Sequence, residues 1–242
     1  MKVVCTIVTG MIGLAVVCGC KRADHEKVQL WENGPYWATT NIGAEKPWEA
    51  GYYFWWGDTV GYKRENNSWV ASDGSNSNFS FGRENTPTIG KLPSNLRIEG
   101  WTTSDGVIPP DGVLVPEHDA AAVHWGNGWR MPRLYELLAL ENNCDWTWTT
   151  QNGINGYIVK GRGAYASNSI FLPAVGEATG TSFRNVGSYG YYWSSFFSAL
   201  DDDFYAQALV IDSSRHFMSG GAPRHSGHPV RPLKWLSNSE RK

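Results

Sequence analysis

Cysteine is scarce in this chain, with four in 242 residues. Cys5 and Cys18 fall within an N-terminal apolar stretch and Cys20 follows it, so Cys144 alone is left for the body of the protein. A single thiol excludes an internal disulfide and any chemistry that needs paired cysteines. Charge of one sign is missing too. Charged residues make up 18% and the net charge is −2, with neither a basic run for nucleic acid nor an acidic tail for a cationic partner. No Gly-x-Ser-x-Gly elbow occurs, and no histidine is placed by local sequence to serve Ser194 or Ser195 as a base. There is no fixed-period repeat.

Glycine and tryptophan are abundant, at 27 and 13 residues. That pairing predicts tight turns between short strands, with large rings filling a loop-rich core. Lys2 precedes the apolar stretch from Val3 to Val17, which has signal-peptide length and is short for a membrane span. Val17-Cys18-Gly19-Cys20 then places a small residue directly before a cysteine, the pattern of a bacterial lipobox. The expected organisation is a lipoprotein signal peptide over 1–19, a lipidated tether over 20–27 beginning at Cys20, one domain over 28–235 and a polar tail over 236–242. Two or three acyl chains on Cys20 would anchor the protein stably to a membrane, placing it in the cell envelope, most simply at the outer membrane. The tether would reach ~25 Å at full extension.

Two helices are expected. Asp119 can cap the first, ahead of Ala120-Ala121-Ala122-Val123-His124, and Gly126 ends it. The second follows Pro132, with Leu134, Leu137, Leu138 and Ala139 as its apolar stripe. Glu136 stands three residues after Arg133, but an arginine cannot accept a hydrogen bond, so the reciprocal capping box is broken. Beyond Cys144 the pattern turns to strands: Trp146 to Thr150, Tyr157 to Val159, Ser169 to Leu172, Tyr191 to Ser195, Phe204 to Ile211 and Pro229 to Leu233. Asn152-Gly153 and Asn155-Gly156 read as turns. Val60 to Val115 reads as a long surface excursion, ordered in places by Trp69, Phe79, Phe81 and Trp101. The fold class is α+β, with short antiparallel strands, two helices and long loops.

Several phrases carry a family likeness. They are Trp37-Ala38-Thr39, Asn41-Ile42-Gly43-Ala44, Tyr53-Phe54-Trp55-Trp56-Gly57-Asp58-Thr59, Trp129-Arg130-Met131-Pro132, Ile170-Phe171-Leu172-Pro173-Ala174, Gly190-Tyr191-Tyr192-Trp193-Ser194-Ser195 and Val230-Arg231-Pro232. From Val28 to Leu233 the chain resembles the Fibrobacter succinogenes major paralogous domain of bacterial surface lipoproteins. That family is related to C-type-lectin-like and formylglycine-generating-enzyme folds. The resemblance implies a C-type-lectin-like domain and a displayed binding module whose C-terminal region forms the ligand face. Arg231, in the expected terminal strand, reads as a structural arginine and not a ligand contact.

The candidate ligand-binding residues are therefore Phe196, Phe197, Asp201, Asp202, Arg215, His216, Phe217, Arg224 and His225, in segments read as loops. Aromatic and arginine side chains there suit interface contact. The expected ligand is an extracellular glycan or protein, bound without catalysis and without a cofactor. A structural or tip subunit of a surface fibre is the first alternative. An enzyme of the formylglycine-generating type is the second, opposed by the lack of the paired cysteines that hold copper in that family. Asp201-Asp202-Asp203 lacks EF-hand spacing and reads as a solvated loop. His216, His225 and His228 lack zinc-site spacing. Gly161-Arg162-Gly163-Ala164-Tyr165-Ala166 fits a loose dinucleotide pattern, but a strand follows it where phosphate binding needs a helix.

Overall fold

The computed structural model describes residues 25–75, 79–82, 112–198 and 205–236. The leader, Cys20, most of the tether, Trp101, the aspartates at 201–203 with Phe204, and all of the tail but Leu236 lie outside the described residues.

Fourteen short strands, two α-helices and two single-turn 3-10 helices make up the described regular structure, a β-rich α+β arrangement. All strand pairings are antiparallel. The first sheet joins both ends of the domain. Strand β1 (Lys27–Gln29) pairs with β2 (Tyr36–Ala38), while β14 (Leu233–Lys234) inserts between β2 and β5 (Trp129–Arg130). Strands β3 (Tyr62–Glu65) and β4 (Ser68–Ala71) form a hairpin. A three-stranded sheet holds β6 (Cys144–Gln151), β7 (Ile154–Gly161) and β8 (Ser169–Pro173). After the β9 (Glu177–Thr179) and β10 (Ser182–Arg184) hairpin, β11 (Tyr189–Phe197), β12 (Tyr205–Asp212) and β13 (His216–Pro223) form another three-stranded sheet.

Helix α1 (Ala120–Trp125) starts where Asp119 accepts from the backbone N–H groups of Ala121 and Ala122. The same carboxylate accepts from Met131 N–H, fastening the helix start to the strand that follows. Helix α2 (Leu134–Asn143) opens with half a capping box, because the Glu136 carboxylate accepts from Arg133 N–H and the guanidinium has nothing to return. Glu136 is buried and also takes a forked pair from Arg130 and the Trp235 indole N–H at 2.7 Å. The Trp129–Pro132 phrase thus welds α1, α2 and the terminal strand together.

Tryptophan and tyrosine fill the core, most with their polar ends satisfied, although the Trp37 indole N–H is buried without a hydrogen-bond partner among the described residues. Trp193 donates to Phe54 O at 2.7 Å, Trp56 to Ser194 O at 2.8 Å and Tyr192 to Pro173 O at 2.7 Å. Ser194 and Ser195 are buried strand hydroxyls bonded to carbonyls. Three readings of the sequence need correction. Asn152-Gly153 is the β6–β7 turn, both residues having positive φ, but Asn155-Gly156 lies within β7. A Cβ on Gly156 would sit 2.3 Å from Leu172 O, so this glycine serves close strand approach and not a turn. The stretch after Val60 is no loop up to Phe81: it holds the β3–β4 hairpin, and the expected anchors do order it, Trp69 and Phe81 being buried with Tyr62 and Tyr53 while Phe79 stacks on Tyr62 at 3.8 Å. Finally, His216 to Pro223 is a strand, not a loop. Its polar and glycine-rich sequence, HFMSGGAP, hides the signal.

Candidate ligand-binding cleft

The structure divides the expected contact residues. Phe197 and Arg224 are buried, 3% and 2% exposed, and so cannot meet a ligand from the native surface. The Arg224 guanidinium lies 4.8 Å over Trp56 and 5.8 Å from the Phe197 ring, and its Nε donates to Tyr205 O. This is interior packing: an arginine sandwiched by rings hides its stem and sets its Nε on a carbonyl, while the faces of the rings meet the rest of the cation. Phe196 is half-buried against Phe197 and bridges Val113. His225 is half-buried. Asp201 and Asp202 lie outside the described residues.

Arg215, His216 and Phe217 do come together, at the β12–β13 turn. His216 stacks on Trp146 of β6 at 4.2 Å and meets Glu141 of α2 at 3.1 Å. Tyr157 stands edge-on to His216, Trp146 and Trp148, giving a wall of rings between the two three-stranded sheets. Beside this wall is a polar cleft of about 600 Å³, lined by Trp148, Asn155, Tyr189, Asp212 and Arg215 with Ser188 and the serines at 213 and 214. Asn155 holds its mouth by donating to Gly187 O and accepting from Thr150. Asp212 organises the turn, accepting at one oxygen from Ser214 N–H, the Ser214 hydroxyl and Arg215 N–H. The Ser214 hydroxyl, then its backbone N–H, hold the Asp212 carboxyl below the usual carboxylate range.

The sequence named Arg215 and missed the rest of this lining. The Trp146-x-Trp148 alternation marked a strand, and Asp212-Ser213-Ser214 is a recognisable turn former, but only long-range packing brings β6 beside the β12–β13 turn. A smaller, largely apolar pocket of about 450 Å³ lies near Leu114, Trp129 and Arg133.

The histidines have separate partners. His118 and His124 bond to Gly57 O and Thr59 O, pinning α1 to the Trp-Gly-Asp-Thr step. His228 is wholly buried between Tyr191 and Trp193, with Nε2 3.3 Å from Glu177. Burial pushes its imidazole below the ordinary value, against the pull of Glu177. Among the described residues, no group of three His, Cys, Asp or Glu side chains could hold a metal ion. No family model, curated protein or solved structure matches this chain.

Proposed function

We propose that this protein is a non-catalytic, lipid-anchored module of the cell envelope that holds an extracellular glycan in the cleft between Trp148 and Arg215. The cleft itself carries the reading. Its volume is in the range of small-ligand sites. Trp148 and Tyr189 offer apolar faces for sugar rings, and exposed serine hydroxyls stand beside them. Small antiparallel sheets around two helices agree with a C-type-lectin-like domain of the Fibrobacter-major-paralogous type, and the phrases from Trp37 to Pro232 support that assignment. Cys20, behind its apolar leader, is the proposed acylation site.

Formylglycine-type chemistry fits the chain poorly. Cys144 is buried and its thiol is pushed up to about 12 by that burial, leaving no thiolate at neutral pH.

The test is a glycan and protein array probed with the purified full chain in detergent, alongside Trp148→Ala. Glycan binding weakened at least about tenfold by the substitution, or ~1.4 kcal/mol, is the expected result. Capture of proteins only, or unchanged glycan binding by the variant, overturns the proposal.

A further inference from the structure

We infer that the sugar taken by this cleft is anionic, with its carboxylate seated on the two terminal amino groups of Arg215. The inference rests on the glycan reading above and narrows it to acidic glycans such as uronic-acid oligosaccharides.

The carboxylate and the amide of the cleft are already engaged. Asp212 spends one oxygen on three donors of its own turn and faces Arg215 Nε with the other, at 3.3 Å. Asn155 accepts from Thr150 and donates to Gly187 O. Donors remain. The hydroxyls of Ser188 and Ser213 make no bond among the described residues, and Arg215 engages only Asp212 and the Phe217 ring. Serine hydroxyls donate or accept as a ligand requires, so charge decides: the open charged group of the cleft is the Arg215 guanidinium, which favours a ligand that brings an anionic acceptor.

Arg215 is also held in place. Asp212 fixes its Nε edge, and Phe217 lies under the guanidinium at 4.6 Å. The side chain is nevertheless 65% exposed, so its outer edge is open to solvent. A guanidinium restrained on one edge and one face has lost part of its rotamer freedom before a ligand arrives. The free edge presents two parallel N–H groups, the fork that matches a planar carboxylate. The plain structural role, an arginine closing its own turn, accounts for less. Ser214 alone gives Asp212 two donors and the Arg215 backbone supplies a third, so the turn stands without the guanidinium. The negative charge of Asp212 is only 10% exposed and directed into the turn, so an approaching anion meets the outer edge of Arg215 instead.

The experiment measures binding of the full chain in detergent to oligogalacturonate, oligoguluronate and hyaluronan oligosaccharides, and to a carboxyl-reduced form of each. Wild type is compared with Arg215→Gln, Arg215→Lys and Trp148→Ala, after melting temperatures show each variant folded. At least one acidic oligosaccharide is expected to bind tenfold or more tightly than its reduced form, with affinity falling as salt rises. Arg215→Gln should erase that difference. Arg215→Lys should keep the salt dependence and lose most of the preference, because an ammonium has no fork. Trp148→Ala should weaken both forms. Equal binding of acidic and reduced forms, or a preference that survives Arg215→Gln, overturns the anionic ligand while sparing a Trp148-dependent glycan site. Binding to no oligosaccharide at millimolar concentration, or binding indifferent to Trp148, overturns the glycan cleft as well.

Discussion

Arg231 donates through Nε to Oδ1 of Asn41 at 2.9 Å, across 190 positions of sequence. The rest of its guanidinium reaches Ala38 O, Thr39 O and Phe171 O, so a buried cation is held by neutral oxygens alone among the described residues. Burial lowers it to about 10, still charged at pH 7. Asn41 in turn donates to Ala50 O, which ties the N-terminal phrases to the C-terminal one. Replacing Arg231 by Met leaves four acceptors to be rehydrated or stranded and should cost about 3 kcal/mol. Arg231→Lys should recover little, because one ammonium cannot span the four. Denaturant unfolding of both variants checks this; a loss under about 1 kcal/mol for either contradicts the clasp.

Asp119 joins three backbone donors that no other side chain reaches. Asp119→Ala should lower stability by about 2 kcal/mol or more, beyond an ordinary cap loss, since Met131 N–H is buried with it. Amide exchange at Ala121, Ala122 and Met131 should accelerate together. Faster exchange at the helix alone would show that the link to β5 carries nothing.

Phe197 and Arg224 should behave as core residues. Phe197→Ala is expected to cost about 3 kcal/mol through the cavity it leaves beneath Arg224. Alanine at Arg215 should leave the melting temperature nearly unchanged, because that side chain is mostly exposed. Thermal unfolding of the single variants separates the two classes. A Phe197→Ala protein as stable as wild type would return that residue to the surface.

Two buried groups give stability opposite slopes with pH. The imidazole of His228 is depressed from its ordinary 6.5. Below that value the unfolded chain takes up a proton the folded histidine resists, so its contribution is complete above 6.5 and declines as pH falls. Asp58 is raised by burial from 3.8 to about 6, despite hydrogen bonds from Val60 and Gly61 N–H. Its folded carboxyl gains a proton the unfolded chain lacks, so acidification from above 6 toward 4 adds stability through this group. Side-chain NMR titration should find Asp58 half-protonated near 6 and His228 titrating below its ordinary 6.5. A His228 that titrates at 6.5 or higher contradicts the burial argument.

Acylation at Cys20 predicts that Cys20→Ser loses the acyl mass and leaves the membrane fraction. Mass spectrometry and cell fractionation read this directly. A variant that keeps both properties would mean that the anchor lies elsewhere.

Local chemistry was legible and long-range assembly was not. Asp119 as a cap, Asn152-Gly153 as a turn, the alternation at Trp146–Thr150 and the two helices all follow from neighbours in sequence, and all are present. β13 escaped because a Ser-Gly-Gly-Ala run has no strand propensity and pairs only because β12 is beside it. Phe197 and Arg224 looked exposed for the same reason: their polar and aromatic neighbours suggest a surface, whereas Trp56, 141 positions before Phe197, closes over them. The cleft draws on β6, β7, β11 and the β12–β13 turn, which no local window joins.

Strand β1 has a mechanical consequence. It lies at the edge of its sheet, three residues long, with β2 as its one neighbour. For a domain tethered at Cys20, drag on a ligand held in the proposed cleft would enter the fold through this strand before any other. Three short hydrogen-bonded positions and the His25 ring on Trp125 resist first, and Leu30, with no exposure at all, marks where yielding would stop. Stretching would therefore lengthen the leash first, and would reach the cleft only after Asn168 let go of Gln29 O and Leu30 left the core it shares with Tyr157 and Trp148.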